Sequence, residues 1–89
     1  MSGFNYFHND NGCTYLIIEQ VTVHAWCNDH LTIGLLKQEN NGQYVVAINL
    51  GETSWGHGHY YHPADHENAL ADAVEDYMEQ VNYYKGACV

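Results

Sequence analysis

The sequence predicts an α+β fold, in which an antiparallel β-meander of four strands, or five, packs against one C-terminal amphipathic helix. Apolar and polar residues alternate through much of the first fifty positions, as in half-buried strands. Two Asn-Gly pairs, at 11–12 and 41–42, mark hairpin turns between apolar segments. From about residue 65 the apolar spacing changes to three and four residues, which is typical of an amphipathic helix.

The 89 residues are expected to form a single domain, 1–89, because a chain of this length supports only one core. Strands are predicted at about 3–8, 14–27, 31–39 and 43–50. A two-residue turn at 41–42 would pair Leu35 with Ile48 and Ile33 with Leu50. The apolar residues of both strands would then share one face of the sheet, so the predicted register agrees with the pattern.

The length of the loop between the second and third strands follows from the requirement that their apolar residues share one face of the sheet. A two-residue turn at 28–29 would put polar residues of the second strand into the core. A three-residue loop at 28–30 instead pairs Val23 with Leu35, so the longer loop is predicted. Glu19 interrupts the inward apolar series, which indicates a β-bulge or a strand break near Glu19 and Gln20.

The helix is predicted over about 65–85. Asp65 is its expected N-cap, with Pro63 at the first helical position as the competing start, and Lys85 with Gly86 marks its end. The predicted apolar stripe consists of Leu70, Ala73, Val74, Tyr77, Met78, Val81 and Tyr84. We expect this stripe to cover the apolar face of the sheet, because no other segment is predicted to do so.

Charge excludes several classes of function. Eleven carboxylates stand against Lys37 and Lys85, and the chain contains no arginine. Nucleic-acid binding depends on several cationic contacts to phosphates, so direct binding to nucleic acid is not expected, nor is binding to anionic membranes or phosphorylated substrates. A protein this acidic is drawn instead to basic protein surfaces.

The cysteines and the first residues predict a cytoplasmic location. Cys13, Cys27 and Cys88 are an odd number at unrelated spacings, which argues against a disulfide framework and favours a reducing compartment. The first ten residues lack the basic and apolar regions of a signal peptide. No apolar run approaches the length of a membrane span.

Carboxylates dominate the predicted outer face of the helix. Within an arc of roughly 100° lie Asp72, Glu75, Asp76 and Glu79. One interpretation is a solvated face; the other is a row of charges spaced as on a nucleic-acid backbone, which would dock into a basic groove. Aromatic residues that precede the helix are expected to add interface hot spots to this partner-binding surface, namely Trp55, Tyr60 and Tyr61.

Residues 51–64 are expected to form a His-rich connection, with a short fifth strand through His57–Tyr61 as the alternative. In an extended chain His57 and His59 leave the same face, and together with His62 they would hold Zn²⁺ with one position open. The spacing matches no zinc signature, and the interleaved glycines make the segment pliable. A structural connection, an interaction surface and a metal site therefore stay open as interpretations.

No local signature joins a cysteine to a histidine, and no Gly-rich phosphate loop is present. We therefore expect a non-enzymatic protein without catalytic residues and, unless the histidines bind zinc, without a cofactor. In length, acidity and topology the whole chain resembles the small acidic inhibitors that bacteriophages direct against host defences, anti-CRISPR proteins among them.

That resemblance rests on no shared motif and assigns no residue. It implies an inhibitor that acts by charge mimicry on the basic groove of a nucleic-acid-handling defence effector, in the host cytoplasm. A His-rich metal-binding module or metal-dependent enzyme is an alternative. The antitoxin of a toxin–antitoxin pair is another, although the DNA-binding element that antitoxins normally carry is not seen in the sequence.

Overall fold

A computed structural model describes residues 5–25 and 28–86 and confirms the α+β fold. Its elements are β1 (Asn5–His8), β2 (Thr14–Ala25), β3 (Asn28–Gln38), β4 (Tyr44–Leu50), β5 (Trp55–Tyr61) and α1 (Ala69–Gly86). The strands form one antiparallel sheet in the order β1-β2-β3-β4-β5, with α1 packed on one face. The fifth strand, predicted as an alternative, is present, so the expected connection over 51–64 is wrong across β5. The predicted strand positions 3–4 and 26–27 lie outside the described residues.

The β3–β4 hairpin keeps the predicted faces but not the predicted register. Leu35 lies opposite Val46, and Ile33 lies opposite Ile48, two positions from the expected partners. A shift of two residues preserves which side chains share a face, since side chains alternate with a period of two. The apolar pattern therefore predicted the correct faces of this hairpin as far as Ile48 without determining its register.

A four-residue loop, 39–42, explains the shift. The backbone N–H of Gln38 donates to the carbonyl of Gln43 at 2.8 Å, and that of Gly42 donates to the carbonyl of Gln38 at 2.9 Å. A two-residue type I′ turn needs positive φ at both central residues. Gly42 has a φ of 75°, but Asn41 does not adopt positive φ. Its side-chain oxygen accepts the N–H of Gln43 instead, at 3.0 Å.

The β2–β3 hairpin also differs from the expectation. Residues 28–30 belong to β3, so the predicted three-residue loop is wrong, and Val23 lies opposite Leu31. The shift is again an even number of residues, which keeps Val23 on the same face as Leu31 and Ile33. A break in register between Ile17 and Glu19 confirms the predicted bulge.

The helix begins at Ala69, and both predicted starts are wrong. The backbone N–H groups of Asp65 and His66 donate to the carbonyl of His62, each at 2.9 Å, so this segment forms a separate turn before the helix. The carbonyl of Asn68 accepts the first hydrogen bond of α1. No helix of the described residues is long and apolar enough to cross a membrane.

One face of the sheet, the helix-covered face, packs against α1. Its buried residues are Val23, Leu31, Ile33, Leu35, Val46 and Ile48, which contact Ala73 and Tyr77 of the helix. The helix is rotated relative to the predicted stripe, since Ala73 is fully buried whereas Leu70 and Met78 are 46% and 58% exposed. At about 100° per residue, Met78 lies about 140° around the helix from Ala73, and Asp76 lies only about 60° from it.

The opposite face, the aromatic face, is a second core that the sequence analysis did not predict. Its buried residues are Phe7, Tyr15, Leu36, Val45 and Ala47, bordered by Cys13, Ile17, Leu50 and Trp55. The sheet curls so that its two outer strands approach each other: the ring centroids of Phe7 and Trp55 are 5.5 Å apart. The N–H of Asp10 donates to the carbonyl of Thr53 at 2.9 Å, which ties the β1–β2 loop to the β4–β5 loop.

Asn49 marks the point where β4 changes faces. It has a φ of 64°, a left-handed conformation that asparagine tolerates better than most residues. Ile48 packs on the helix-covered face, whereas Leu50, two residues later, packs on the aromatic face. The expected pairing of Leu50 with Ile33 fails because of the register shift, and the expectation that Leu50 lies in the helix-covered core is wrong because β4 changes faces at Asn49.

Candidate functional site: the seam between β5 and α1

β5 is the last strand of the sheet, and alternate side chains of this strand face α1. His57, His59 and Tyr61 lie opposite residues of β4 that belong to the helix-covered face or border it. Because these three residues are spaced two apart on an extended strand, they form a row along the seam where β5 meets the helix. The i, i+2 expectation for His57 and His59 is therefore confirmed.

Asp76 closes the seam from the helix side. One carboxylate oxygen, Oδ2, accepts hydrogen bonds from His59 Nδ1 at 2.7 Å and from the hydroxyl of Tyr61 at 2.8 Å. The other, Oδ1, accepts one from Gln80 Nε2 at 3.1 Å. Asp76 is only 8% exposed, so its predicted position among the solvent-facing acids of the helix is wrong. The rotation of α1 towards β5 is the physical reason.

The three donors decide the charge of Asp76. Burial by itself would raise the pKa of this carboxyl, but the hydrogen bonds from Gln80, His59 and Tyr61 outweigh it and lower the pKa below its usual value. Burial and the hydrogen bond to Asp76 raise the pKa of Tyr61 to about 12. Asp76 is therefore an ionised acceptor at neutral pH, and Tyr61 is a donor.

The same hydrogen bond assigns the tautomer of a neutral His59 ring. An ionised carboxylate accepts only, so Nδ1 of His59 must carry the proton and Nε2 is left with its lone pair. That Nε2 lies 3.2 Å from Nε2 of His57. The two rings are nearly perpendicular, at 85°, with centroids 5.0 Å apart.

His62 does not join this pair through any contact of the seam. It lies in the turn before α1, where its Nδ1 accepts the backbone N–H of Ala64 at 3.0 Å. Across residues 5–25 and 28–86, no group of three or more His, Cys, Asp or Glu side chains is arranged to hold a metal ion. The predicted set of three ligands is thus not assembled, because the chain leaves β5 at Tyr61 and folds into the turn.

The other three acids of the predicted row remain open to solvent and are called the acidic row: Asp72, Glu75 and Glu79. Together with Tyr61 and Asp76 they line a shallow, open cavity of about 230 Å³. Glu75 and Glu79 are exposed, and Asp72 is half-buried, with His66 Nδ1 at 3.8 Å. In the part of the chain that the structure describes, the ion pairs within 4 Å involve histidines and no lysine.

The three aromatic residues predicted for the partner surface separate. The hydroxyl of Tyr61 donates a hydrogen bond to Asp76. Trp55 packs in the aromatic face, where its ring centroid lies 5.2 Å from that of Tyr15. Tyr60 is 51% exposed, but it alternates with Tyr61 and accepts the indole N–H of Trp55 at 3.2 Å. None of the three therefore extends the acidic row as an exposed aromatic patch.

Gly58 has a packing role that the sequence analysis missed. A Cβ at this position would lie 2.8 Å from both Trp55 Nε1 and the Tyr60 hydroxyl. The glycine was predicted to make the segment pliable, whereas it lets an indole lie directly against the strand. A small residue between aromatic residues on a strand is the signal that could have indicated this close approach.

Of the three cysteines, Cys13 is half-buried at the border of the aromatic face and lies 3.3 Å from Gln38 Nε2. Cys27 and Cys88 lie outside the described residues. Comparisons with protein-family models, with curated proteins and with solved structures give no match.

Proposed function

We propose that this protein is a non-enzymatic binding protein whose acidic row docks into the basic, nucleic-acid-binding groove of a partner protein and inhibits it. One observation carries the proposal: Asp72, Glu75 and Glu79 project from one side of α1, with no lysine within 4 Å among the described residues. The two lysines lie elsewhere, Lys37 over the ring of Tyr44 and Lys85 beside β2.

The energetics of the row favour a cationic partner. Like charges three and four residues apart on a helix repel by a few tenths of a kcal/mol per pair. The free protein, with a net charge of −9, carries this repulsion with no lysine within 4 Å of the row among the described residues, although His66 lies 3.8 Å from Asp72. A basic groove would relieve it and would also steer association, giving a fast and salt-sensitive on-rate.

The spacing of the row fits a groove that grips nucleic acid. At about 1.5 Å per residue, successive carboxylates are about 4.5 and 6 Å apart along the helix axis. A nucleic-acid strand carries one phosphate per rise of about 3.4 Å, so the row has a similar but sparser charge density. The helix is held by the fully buried Ala73 and by the bonds of Asp76 to β5, which limits the entropy cost of docking.

A host-defence effector that binds nucleic acid would supply such a groove. This is the target class of the phage inhibitors, anti-CRISPR proteins included, that the chain resembles. Inhibition would follow from occupation of the groove, because a bound acidic helix excludes the nucleic acid that the effector needs. No chemistry on the partner is required.

The test is affinity capture from host lysate with the wild type and the triple variant Asp72→Lys, Glu75→Lys, Glu79→Lys. We expect the wild type to capture a nucleic-acid-binding protein, and we expect short duplex DNA or RNA to release it. The triple variant should lose this capture. Asp76 is left unchanged, because its replacement would disturb the seam and not only the surface charge.

The matched control is Asp10→Lys, Glu39→Lys, Glu52→Lys, which changes the net charge equally at three exposed positions in the loops. We expect this variant to retain capture. Binding that survives reversal of the acidic row, that is lost equally in the control, or that added nucleic acid does not displace would contradict the proposed function.

A further inference from the structure

The facing imidazoles of His57 and His59 have no part in the proposed function. Their Nε2 atoms lie 3.2 Å apart, at the edge strand of the sheet. With Nδ1 of His59 donating to Asp76, the Nε2 lone pair of a neutral His59 points towards Nε2 of His57. Two ring nitrogens at this distance are held together either by an N–H···N hydrogen bond, with the proton on Nε2 of His57, or by a metal ion that both coordinate.

The distance between the two nitrogens is compatible with two ligands of one metal ion. Two nitrogens that are each about 2.05 Å from Zn²⁺ lie about 3.3 Å apart at the tetrahedral angle. At the right angle of a square-planar or octahedral site the same bonds would bring them to about 2.9 Å. The observed separation of 3.2 Å lies between these two values, so it fits two imidazole ligands of one metal ion, and imidazole nitrogen is an ordinary ligand of Zn²⁺. We infer that His57 and His59 chelate Zn²⁺ through their two Nε2 atoms.

Asp76 supplies the support that a metal-binding histidine requires. A ligating imidazole almost always donates its other N–H to a carboxylate or carbonyl, which sets its tautomer and ring orientation. Asp76 accepts this bond from His59 at 2.7 Å, and Tyr61 and Gln80 hold the carboxylate in turn. Asp76 and Tyr61 are positioning residues here, and the histidines are the ligands.

The site has two protein ligands and an open side. His57 is exposed and His59 is half-buried, so Zn²⁺ reaches the pair from solvent and water completes its coordination. Binding needs no net proton loss from neutral rings, because the proton on Nε2 of His57 moves to its Nδ1. The ligand set differs from the predicted three histidines because His62 lies in the turn before α1 and takes no part.

The experiment is calorimetric titration of the metal-free protein with Zn²⁺. We expect one site per chain in the wild type, and at least tenfold weaker binding in both His57→Ala and His59→Ala. Co²⁺ titrated into the same proteins should give the visible absorption of a tetrahedral complex in the wild type and not in these variants. His57→Ala leaves the Asp76 hydrogen bonds intact, so circular dichroism should show a folded protein.

The matched control is the double variant His62→Ala, His66→Ala, which removes two neighbouring imidazoles and should bind Zn²⁺ as the wild type does. Asp76→Asn should weaken binding by about 10- to 100-fold. Absence of Zn²⁺ binding in the wild type, retention of it in His57→Ala and His59→Ala, or its loss in the control would overturn the inference. None of these variants alters the acidic row, so partner capture is tested independently.

Discussion

The two faces of the sheet are closed in different ways. The helix-covered face is mostly aliphatic, and a separate element, α1, covers it. The aromatic face lies on the other side of the same strands and is enclosed by curling of the sheet, which brings Phe7 of β1 to Trp55 of β5. Neighbouring residues of one strand can therefore belong to two different cores: Leu35 faces the helix, whereas Leu36 faces the aromatic residues.

This difference shows what alternation does and does not reveal. A strand buried on one face alternates apolar and polar residues, whereas one buried on both faces has a continuous apolar run. Residues 45–48 of β4, Val-Val-Ala-Ile, are such a run, and all four are buried. The run indicates a second core, but it does not say that the outer strands would close it.

The sharpest test compares the two adjacent leucines of β3. Leu35→Ala and Leu36→Ala should each lower the free energy of unfolding by about 2–5 kcal/mol, because both side chains are almost fully buried and each truncation leaves a cavity. Urea denaturation followed by circular dichroism measures both losses. A loss below about 1 kcal/mol for Leu36→Ala alone would show that the aromatic face is not a true core.

Trp55→Ala tests the closure of the aromatic face from its edge. We expect the free energy of unfolding to fall by about 2–3 kcal/mol. This value is at or below the lower end of the range for truncation of a buried tryptophan to alanine, because the Trp55 side chain is only half-buried. The variant removes ring contacts to Phe7 and Tyr15 and the hydrogen bond to Tyr60. Trp55→Phe, which keeps an aromatic ring, should lose less stability than Trp55→Ala when both are measured by urea denaturation. Equal losses in the two variants would assign the effect to the hydrogen bond.

Asp76→Asn tests the polar seam beside the helix-covered core. The variant replaces an ionised carboxylate that accepts hydrogen bonds from three donors. It should therefore lower the free energy of unfolding by about 1–3 kcal/mol at pH 7. Because the folded-state pKa of Asp76 is lowered, its contribution is fully present above the ordinary carboxyl pKa of about 3.9 and is lost as pH falls through the folded value. The difference in the free energy of unfolding between the metal-free wild type and Asp76→Asn should therefore shrink towards zero in acid. A constant difference down to pH 2 would rule out this role.

The smallest effect is expected on the exposed side of α1. Leu70→Ser and Met78→Ser should each lower the free energy of unfolding by no more than about 1 kcal/mol, because each side chain is only about half-buried. Ala73→Leu is the contrasting variant, and overpacking at this fully buried position should cost about 1–3 kcal/mol. A large loss at Met78 would favour the predicted stripe over the observed rotation of the helix.

The candidate site could be predicted only in part. Spacing alone placed His57 and His59 on one face of an extended segment, and composition alone showed carboxylates without cationic partners. The pairing of His59 with Asp76 joins residues 17 positions apart. This pairing depends on how far α1 is rotated about its own axis. The apolar stripe determines that rotation only to within a few tens of degrees. Met78 and Asp76 flank the stripe on opposite sides, so a small rotation decides which of the two is buried.

The sequence by itself determined the fold class, the order of the strands, the faces of the hairpins and the bulge before Glu19. These follow from local periodicity and turn chemistry, which act over a few residues. Only the tertiary structure decided the register, the start of α1, the burial of Asp76 and the closure of the aromatic face. Each of these depends on contacts between distant segments. Strand registers that differ by an even number of residues, and helix positions that differ by part of a turn, satisfy the local pattern almost equally well. Packing between the segments therefore decides among them.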